Sequence, residues 1–434
     1  MTTSAPGQFS LEHGMRLRGL AMARTETFAD AVFLLFLGPL VQRLKKLVRW
    51  LVPPCFGAML AAGDALHAEM DVGAQTRVGE VVLETDAAGA EPFGRIGGMA
   101  IAADERVWVL DRQASTVYLI DTAGDLAATR GREGDGPGEL RGPSSLTLAA
   151  DRLWVMSSNA RRIDVLPAGD VGAPARVRLR LAEYSAPGRP ATAYTRPIVL
   201  RGGRSALVTV RRHYRDYRRN VILALEYDLA GSVLRELAHP QVPDRYLDYG
   251  IVLHLPTSRG TMPLRQGMPF GAGYWVVRNS RGGWAEVFGT EYDIAVHSID
   301  GLQTHRIVRS EVEGPPLTAE ERRERDDKFA FHRRWAESSG GTISIEGVSD
   351  SWPPVEWIVF DAEDRLWVAL TPATGDEWAE ADVYSPDGIP AFRARWPAGI
   401  DLRHGAMRGA AGWGVRQGAM DEDLLVFLRF RVEG

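Results

Sequence analysis

Arg106-Val107-Trp108-Val109-Leu110 and Arg152-Leu153-Trp154-Val155-Met156 are two copies of one short strand pattern with tryptophan at its centre. The pattern returns as Gly273-Tyr274-Trp275-Val276-Val277, Arg365-Leu366-Trp367-Val368-Ala369 and Gly412-Trp413-Gly414-Val415. Leu207-Val208-Thr209-Val210 keeps the strand with Val208 in the Trp column. Self-similarity of this kind marks a repeat architecture, and strand repeats of this length are the blades of a β-propeller. The Trp column reads as packing between neighbouring sheets, because the Val and Leu beside each Trp face the opposite inter-sheet space.

Each copy continues with a polar turn, a third strand, a Gly turn and a fourth strand. The third strands are Thr116–Ile120, Arg162–Leu166, Val221–Leu225, Tyr292–Val296 and Leu424–Leu428, rich in β-branched and aromatic residues. The Gly turns fall at Gly124, Gly169, Gly231, Gly301 and Gly388, most with Asp nearby. The pattern predicts six blades, centred on Trp108, Trp154, Val208, Trp275, Trp367 and Trp413. The chain ends at Gly434 before the sixth copy has a fourth strand, while Val78–Glu84 is a strand without a blade. The expectation is therefore an all-β fold, a six-bladed β-propeller whose ring is closed by that N-terminal strand. Two insertions interrupt the period. Residues 241–268 read as a long loop dotted with Pro and Gly. Residues 316–338 read as one inserted helix opened by a Thr318/Glu321 capping box, serving as a solvated surface helix or as a lid over one face.

The chain has 434 residues, 45% hydrophobic and 25% charged, which places it among ordinary globular proteins. A net charge of -5 argues against a general nucleic-acid footprint. Only Lys45, Lys46 and Lys328 are lysines among 51 basic residues, so 48 are arginines. Codon usage in a GC-rich genome accounts for the bulk of that bias. Cys55 is the single cysteine, which excludes an internal disulfide and a cysteine-based metal cage.

Residues 1–68 read differently from 69–434. The apolar run Val32–Leu37 is too short to span a bilayer, a basic cluster (Arg43, Lys45, Lys46, Arg49) follows, then Leu51 to Ala62 and small residues. Basic, apolar, small is the order of a secretory signal, with cleavage after Gly63 or Ala68 and Met15 or Met22 as alternative starts. The expectation is an exported protein, periplasmic or extracellular, with residues 1–68 either removed or kept as a membrane anchor. Cys55 follows Val52-Pro53-Pro54, a poor lipobox. A mature chain without cysteine suits an oxidising compartment.

Propellers hold ligands at the mouth of the central channel. Three places after the Trp column stand Asp111, Ser157, Arg211, Arg278, Leu370 and Arg416, with Arg112, Arg212, His213, Asn279 and Gln417 beside them. The candidate ligand-binding set is Asp111, Arg112, Arg211, Arg212, Arg278, Asn279 and Arg416, several guanidinium groups suited to a carboxylate, sulfate or phosphate. The bland alternative is ordinary surface arginine. A site needs the groups converging and unpaired; the alternative has each one capped by a local carboxylate.

Gly131-Arg132-Glu133-Gly134-Asp135-Gly136-Pro137-Gly138-Glu139-Leu140, with Val107-Trp108-Val109-Leu110-Asp111 before it, resembles the six-bladed propellers with NHL-like repeats found in secreted bacterial proteins. The resemblance covers about residues 78–434 in architecture, and the Gly-rich motif occurs once. It implies a fold and no single activity, since such propellers include binding modules, lyases and lactonases. The Gly-rich run itself is either an anion-binding nest or, more simply, the turn between two blades. It lacks the ending of a phosphate-binding P-loop.

A lyase or lactonase on this scaffold needs a metal such as calcium or zinc, held by carboxylate, His or Asn groups from several blades. No His-x-His or His-Glu-x-x-His pair occurs, and His213, His254, His297 and His404 come from different blades or loops. No Gly-x-Ser-x-Gly elbow is present. The sequence therefore predicts a monomeric binding module for a small anionic ligand or another protein, without a cofactor. The alternatives are a metal-dependent lyase or lactonase, and an interaction domain with no small-molecule site.

Overall fold

A computed structural model describes residues 75–433 except 158–160, 186–190, 194–195, 213–220 and 259. Residues 1–68, with their export reading, lie outside the described residues. Asp71–Gly434 forms one compact unit that is mostly β.

The strands follow one another as antiparallel meanders. The first is Ile96–Ile101, Val107–Asp111, Thr116–Ile120 and Leu126–Arg130; the second is Ser145–Ala149, Arg152–Ser157, Arg162–Pro167 and Ala175–Arg178. The third is Ile198–Leu200, Ser205–Arg212, Val221–Asp228 and Val233–Leu237, with Thr192–Ala193 also paired to Ser205–Arg212. The fourth is Tyr274–Arg278, Trp284–Phe288, Asp293–His297 and Gln303–Val308; the fifth is Val355–Phe360, Leu366–Leu370, Trp378–Tyr384 and Pro390–Pro397. The last is Ile400–Arg408, Ala411–Gln417 and Asp423–Val432, and its fourth strand is Thr76–Thr85, which precedes the first meander in sequence.

Thr76–Thr85 runs antiparallel to Asp423–Val432, with Gly79 opposite Phe430 and a bulge between Val81 and Leu83. It also pairs in parallel with Pro390–Pro397, which fuses the fifth and last meanders into one eight-stranded sheet. Gly79 is required at this crossing, because a Cβ there would stand 2.9 Å from the Phe430 ring.

Strand direction sorts the turns onto two rims. Hairpins between first and second strands lie at one rim; hairpins between second and third strands, and the links between meanders, lie at the other. First strands touch between the first and second, second and third, fourth and fifth, fifth and sixth, and sixth and first meanders.

Trp108, Trp154, Trp367 and Trp413 are buried on second strands, and the inter-sheet space they fill is apolar. Trp413 stacks on Phe427 with ring centroids 4.6 Å apart and donates its indole N–H to Glu105 O at 2.9 Å. Trp275 departs from the expected column. It lies half-buried on a first strand, and the second strand of its meander is Trp284–Phe288. Ala285, opposite Val277 and Val296, occupies the column there. The Asn279–Gly283 turn, closed by Asn279 N–H to Gly283 O at 3.0 Å, joins first to second strand rather than second to third. Two aromatic-rich strands in succession look alike in sequence, and only pairing separates them.

Residues 241–268 are not a loop. They form a short helix, Asp244–Asp248, and a hairpin, Gly250–Thr257 with Gly260–Gln266, to which Thr342–Glu346 adds a third strand. The run Ile251-Val252-Leu253 is buried in that small sheet, which explains its strand state. The helix Ala319–Ser338 packs against the same sheet, and its capping box is present. Glu321 N–H donates to Thr318 Oγ1 at 3.2 Å, and Thr318 N–H to the Glu321 carboxylate at 2.7 Å. Both insertions leave from the rim of the inter-meander links.

Buried acids on third strands tie the outer strands together. Asp164, Glu226 and Asp382 stand directly opposite Arg176, Arg235 and Arg393 on fourth strands and pair with them at 2.7, 2.6 and 2.9 Å. Glu226 also accepts from Ser205 Oγ at 2.6 Å and Arg201 at 2.7 Å. Burial alone would raise the Glu226 carboxyl; Ser205, Arg235 and Arg201 outweigh it and hold the pKa below its ordinary value.

Two outcomes follow from this packing. Trp413→Ala removes a fully buried ring and costs about 3–5 kcal/mol in urea unfolding, whereas Trp275→Ala costs clearly less. A depressed carboxylate stabilises above its unfolded pKa of about 4.3 and loses that contribution as pH falls through the folded value. Glu226→Gln therefore lowers the urea midpoint at pH 7, and its gap to the parent protein narrows by pH 3.

Candidate functional site

The first strands of all these meanders border one cavity of about 140 Å³. Met99, Ala100 and Ile101 come from the first meander, Thr147 to Ala149 from the second, and Ile198 and Val199 from the third. Arg278, Phe360 and the stretch Gly405–Arg408 complete it. Ser280, Asp361 and Asp364 belong to the hairpins between first and second strands, so the cavity opens on that rim.

Three arginines border the cavity. Arg196 stands where the first strand of the third meander is interrupted, just before Pro197. Water reaches its surface, yet the surrounding protein crowds it, and that desolvation lowers its pKa with no opposing charge to offset it. Arg408 ends its first strand with a buried Nε that has no hydrogen-bond acceptor. Among the described residues, neither Arg196 nor Arg408 has a carboxylate partner. Arg278 is fixed from behind, donating to Gly282 O at 2.5 Å, Ala238 O at 2.9 Å and His239 Nδ1 at 3.0 Å. An arginine has only donors, so His239 must present a bare Nδ1. Burial, and then the Arg278 charge, push His239 down to about 3, so it stays neutral.

The two acids of the cavity are committed to other partners. Asp361 accepts from Arg365 Nε at 2.6 Å, Trp367 Nε1 at 3.0 Å and the N–H groups of Glu363 and Arg365 at 2.8 and 2.9 Å. Asp364 accepts from Ser280 N–H and Oγ, both at 2.7 Å, and so ties the fourth and fifth meanders together at the rim. Asp361 is thus matched by Arg365, and the cavity keeps an excess of positive charge.

The seven residues singled out from the sequence do not share one rim. Asp111, Arg112, Arg211, Arg212 and Arg416 stand at or just past the ends of second strands. Arg278 and Asn279 end a first strand and its turn, at the opposite rim, because Trp275 is not on a second strand. Asp111 is buried and accepts N–H groups of Gly94, Gln113 and Ala114 at 2.7, 2.8 and 3.0 Å, a structural cap. Arg112 is exposed and lies along Gly97. Arg211 and Arg212 both have partners, and Arg416 is paired with Glu84 of the N-terminal strand. Asn279 accepts its own turn's Arg281 N–H at 3.1 Å, Gln417 donates to Asp423 at 2.6 Å, and buried Ser157 donates to Asp164. Of the set, only Arg278 borders the cavity. Arg196 and Arg408 were missed; the ends of the first strands, rather than of the second, were the column to inspect for Arg408, whereas Arg196 stands in the interruption before Ile198–Leu200, where no strand-end column reaches.

The remaining signals resolve as structure. The Gly-rich run 131–140 encloses a carboxylate of its own: Glu139 accepts Gly136 N–H at 2.6 Å. Buried Arg162 clamps the loop from below through Asp135 at 2.8 Å, Gly134 O at 3.1 Å and Glu139 O at 3.2 Å. His254 belongs to the inserted hairpin, His297 stacks on Trp284 with centroids 4.8 Å apart, and exposed His404 sits 2.9 Å from Asp401. His213 lies outside the described residues. Among the described residues no group of three or more His, Cys, Asp or Glu side chains is placed to hold a metal ion. None of their helices is long and apolar enough to cross a membrane.

No protein-family model and no curated protein matches the chain. It is similar to solved structures at low identity. A member of the DUF4221 family from Bacteroides vulgatus aligns at TM-score 0.47 and 10% identity, covering 82% of this chain and 98% of that one. Virginiamycin B lyase from Staphylococcus aureus aligns at 0.36 and 13%, covering 80% and 98%. Regucalcin, a calcium-binding protein from Agrobacterium tumefaciens, aligns at 0.33 and 10%, covering 83% and 97%. No residue role is carried over from them.

A guanidinium nitrogen buried without an acceptor works against the folded state, and Arg408 Nε is one. Arg408→Met, which keeps the length and removes the charge, raises the melting temperature of the ligand-free protein; differential scanning calorimetry in an anion-poor buffer checks it.

Proposed function

We propose that the protein is an exported six-bladed β-propeller acting as a ligand-binding module, with a small anion as its ligand in the central cavity. The meanders are the blades, and Thr76–Thr85 supplies the missing strand of the last one, so that the ring closes within a single chain. Pairing of that strand on both sides supports the closure and a monomer. The order of basic, apolar and small residues before residue 69 supports export.

One observation carries the ligand reading. Arg196 and Arg408 border the cavity with no carboxylate partner among the described residues, while Asp361 and Asp364 are fully engaged elsewhere. Arg408 Nε is buried without an acceptor, which is costly unless something brings one. Guanidinium groups bind carboxylate and phosphate oxygens through paired N–H donors. The anionic class expected from the sequence is retained; its residues become Arg196, Arg278 and Arg408.

Thermal unfolding of the full-length chain against acetate, benzoate, sulfate and phosphate at fixed ionic strength tests this. At least one anion raises the melting temperature saturably, as mass action requires of a ligand that binds only the folded state. The double variant Arg196→Ala/Arg408→Ala loses that response while keeping the parent's circular dichroism. An equal response in parent and variant would sink the proposal.

A further inference from the structure

The cavity's two kinds of wall define its ligand more narrowly. Positive charge comes from Arg196, Arg278 and Arg408. Met99, Ile101, Ile198, Phe360 and Met407 are buried apolar side chains that border the same space. We infer that the ligand is a small carboxylate with an apolar body, up to about the size of benzoate; this rests on reading the cavity as an anion site.

The argument is one of donors and size. Besides the guanidinium groups, the polar side chains at hand are occupied: Thr147 donates its hydroxyl to Pro197 O at 2.7 Å, and Ser280 donates to Asp364 at 2.7 Å. A tetrahedral dianion carries four oxygens. With two of them on guanidinium forks, the others would face methionine, isoleucine and phenylalanine, each unmet oxygen costing about 1–3 kcal/mol. A carboxylate has both oxygens at one end. It satisfies them on the forks and turns its hydrocarbon toward the apolar wall, where each buried methylene contributes about 0.8 kcal/mol. The volume agrees, since 140 Å³ is close to the roughly 150 Å³ of an apolar cavity known to admit one benzene ring.

Calorimetric titration of the full-length chain with acetate, butyrate, benzoate, sulfate, inorganic phosphate and neutral benzyl alcohol tests it. Butyrate binds about tenfold tighter than acetate, the expected effect of two extra buried methylenes. Benzoate binds at least as well as butyrate, and benzyl alcohol at least tenfold more weakly than benzoate. Arg196→Ala/Arg408→Ala weakens the carboxylates at least tenfold, and Arg196→Lys, which restores the charge, recovers part of that loss in the Arg408 background. Tighter binding of phosphate or sulfate than of any carboxylate, or equal affinity for acetate and butyrate, overturns the carboxylate assignment and leaves the anion site standing. Binding of no anion, or carboxylate binding unchanged in the double variant, overturns both.

Discussion

The structure depends on a pairing between its first and last described strands. Thr76–Thr85 lies between Asp423–Val432 and Pro390–Pro397, hydrogen-bonded on both sides. Each meander by itself would present two strand edges with unmet N–H and C=O groups. The first strands meet side by side, while the outer edge of the last meander is completed by residues more than three hundred positions away in sequence. Gly79 is the local condition for that pairing, because the Phe430 ring takes the space a side chain would use. The cavity is a consequence: it exists because first strands from all the meanders face a common space.

Arginine has separate roles away from the cavity and beside it. Toward the outside, guanidinium groups from the same strand, a neighbouring strand or a nearby turn meet buried acids, as in Asp164 with Arg162 and Arg176, Glu226 with Arg201 and Arg235, and Asp382 with Arg309 and Arg393. A buried carboxylate is tolerable only with its oxygens satisfied, and two arginines per acid achieve that. Toward the cavity the balance reverses. Asp361 closes its own hairpin and Asp364 joins it to the hairpin of Ser280, while Arg196 and Arg408 have no carboxylate partner among the described residues. The same residue type therefore reads as scaffold or as site according to where its counter-charge stands. Composition carries no trace of that difference.

Much of the strand order could be read in advance, because it is written locally. Alternating and β-branched runs, Gly turns with Asp beside them and the Thr318/Glu321 cap each act over a few residues, and the helix Ala319–Ser338 begins where its cap stands. The pairing of the N-terminal strand was also legible, from a strand without a blade and a blade without a strand. The failures have one cause. Tyr274-Trp275-Val276-Val277 matches a second strand in composition, and the run Ile251-Val252-Leu253 lay hidden among Pro and Gly that suggested a loop. In both cases the state depends on which distant strand comes alongside: Trp284–Phe288 and Asp293–His297 for the first, Thr342–Glu346 for the second.

By itself, then, the sequence determined the repeat, the β character, the capped helix and the presence of many arginines whose charge needed an account. Local propensity and period suffice for those, since they involve neighbours along the chain. The tertiary structure decided which arginines share a cavity. A shift of one strand within a meander reverses its direction and moves its end to the opposite rim, so Arg278 parted from Asp111, Arg211 and Arg416 and joined Arg196 and Arg408. Whether a guanidinium is spent or free depends on a carboxylate tens or hundreds of residues away, and only the packed sheets bring the two together.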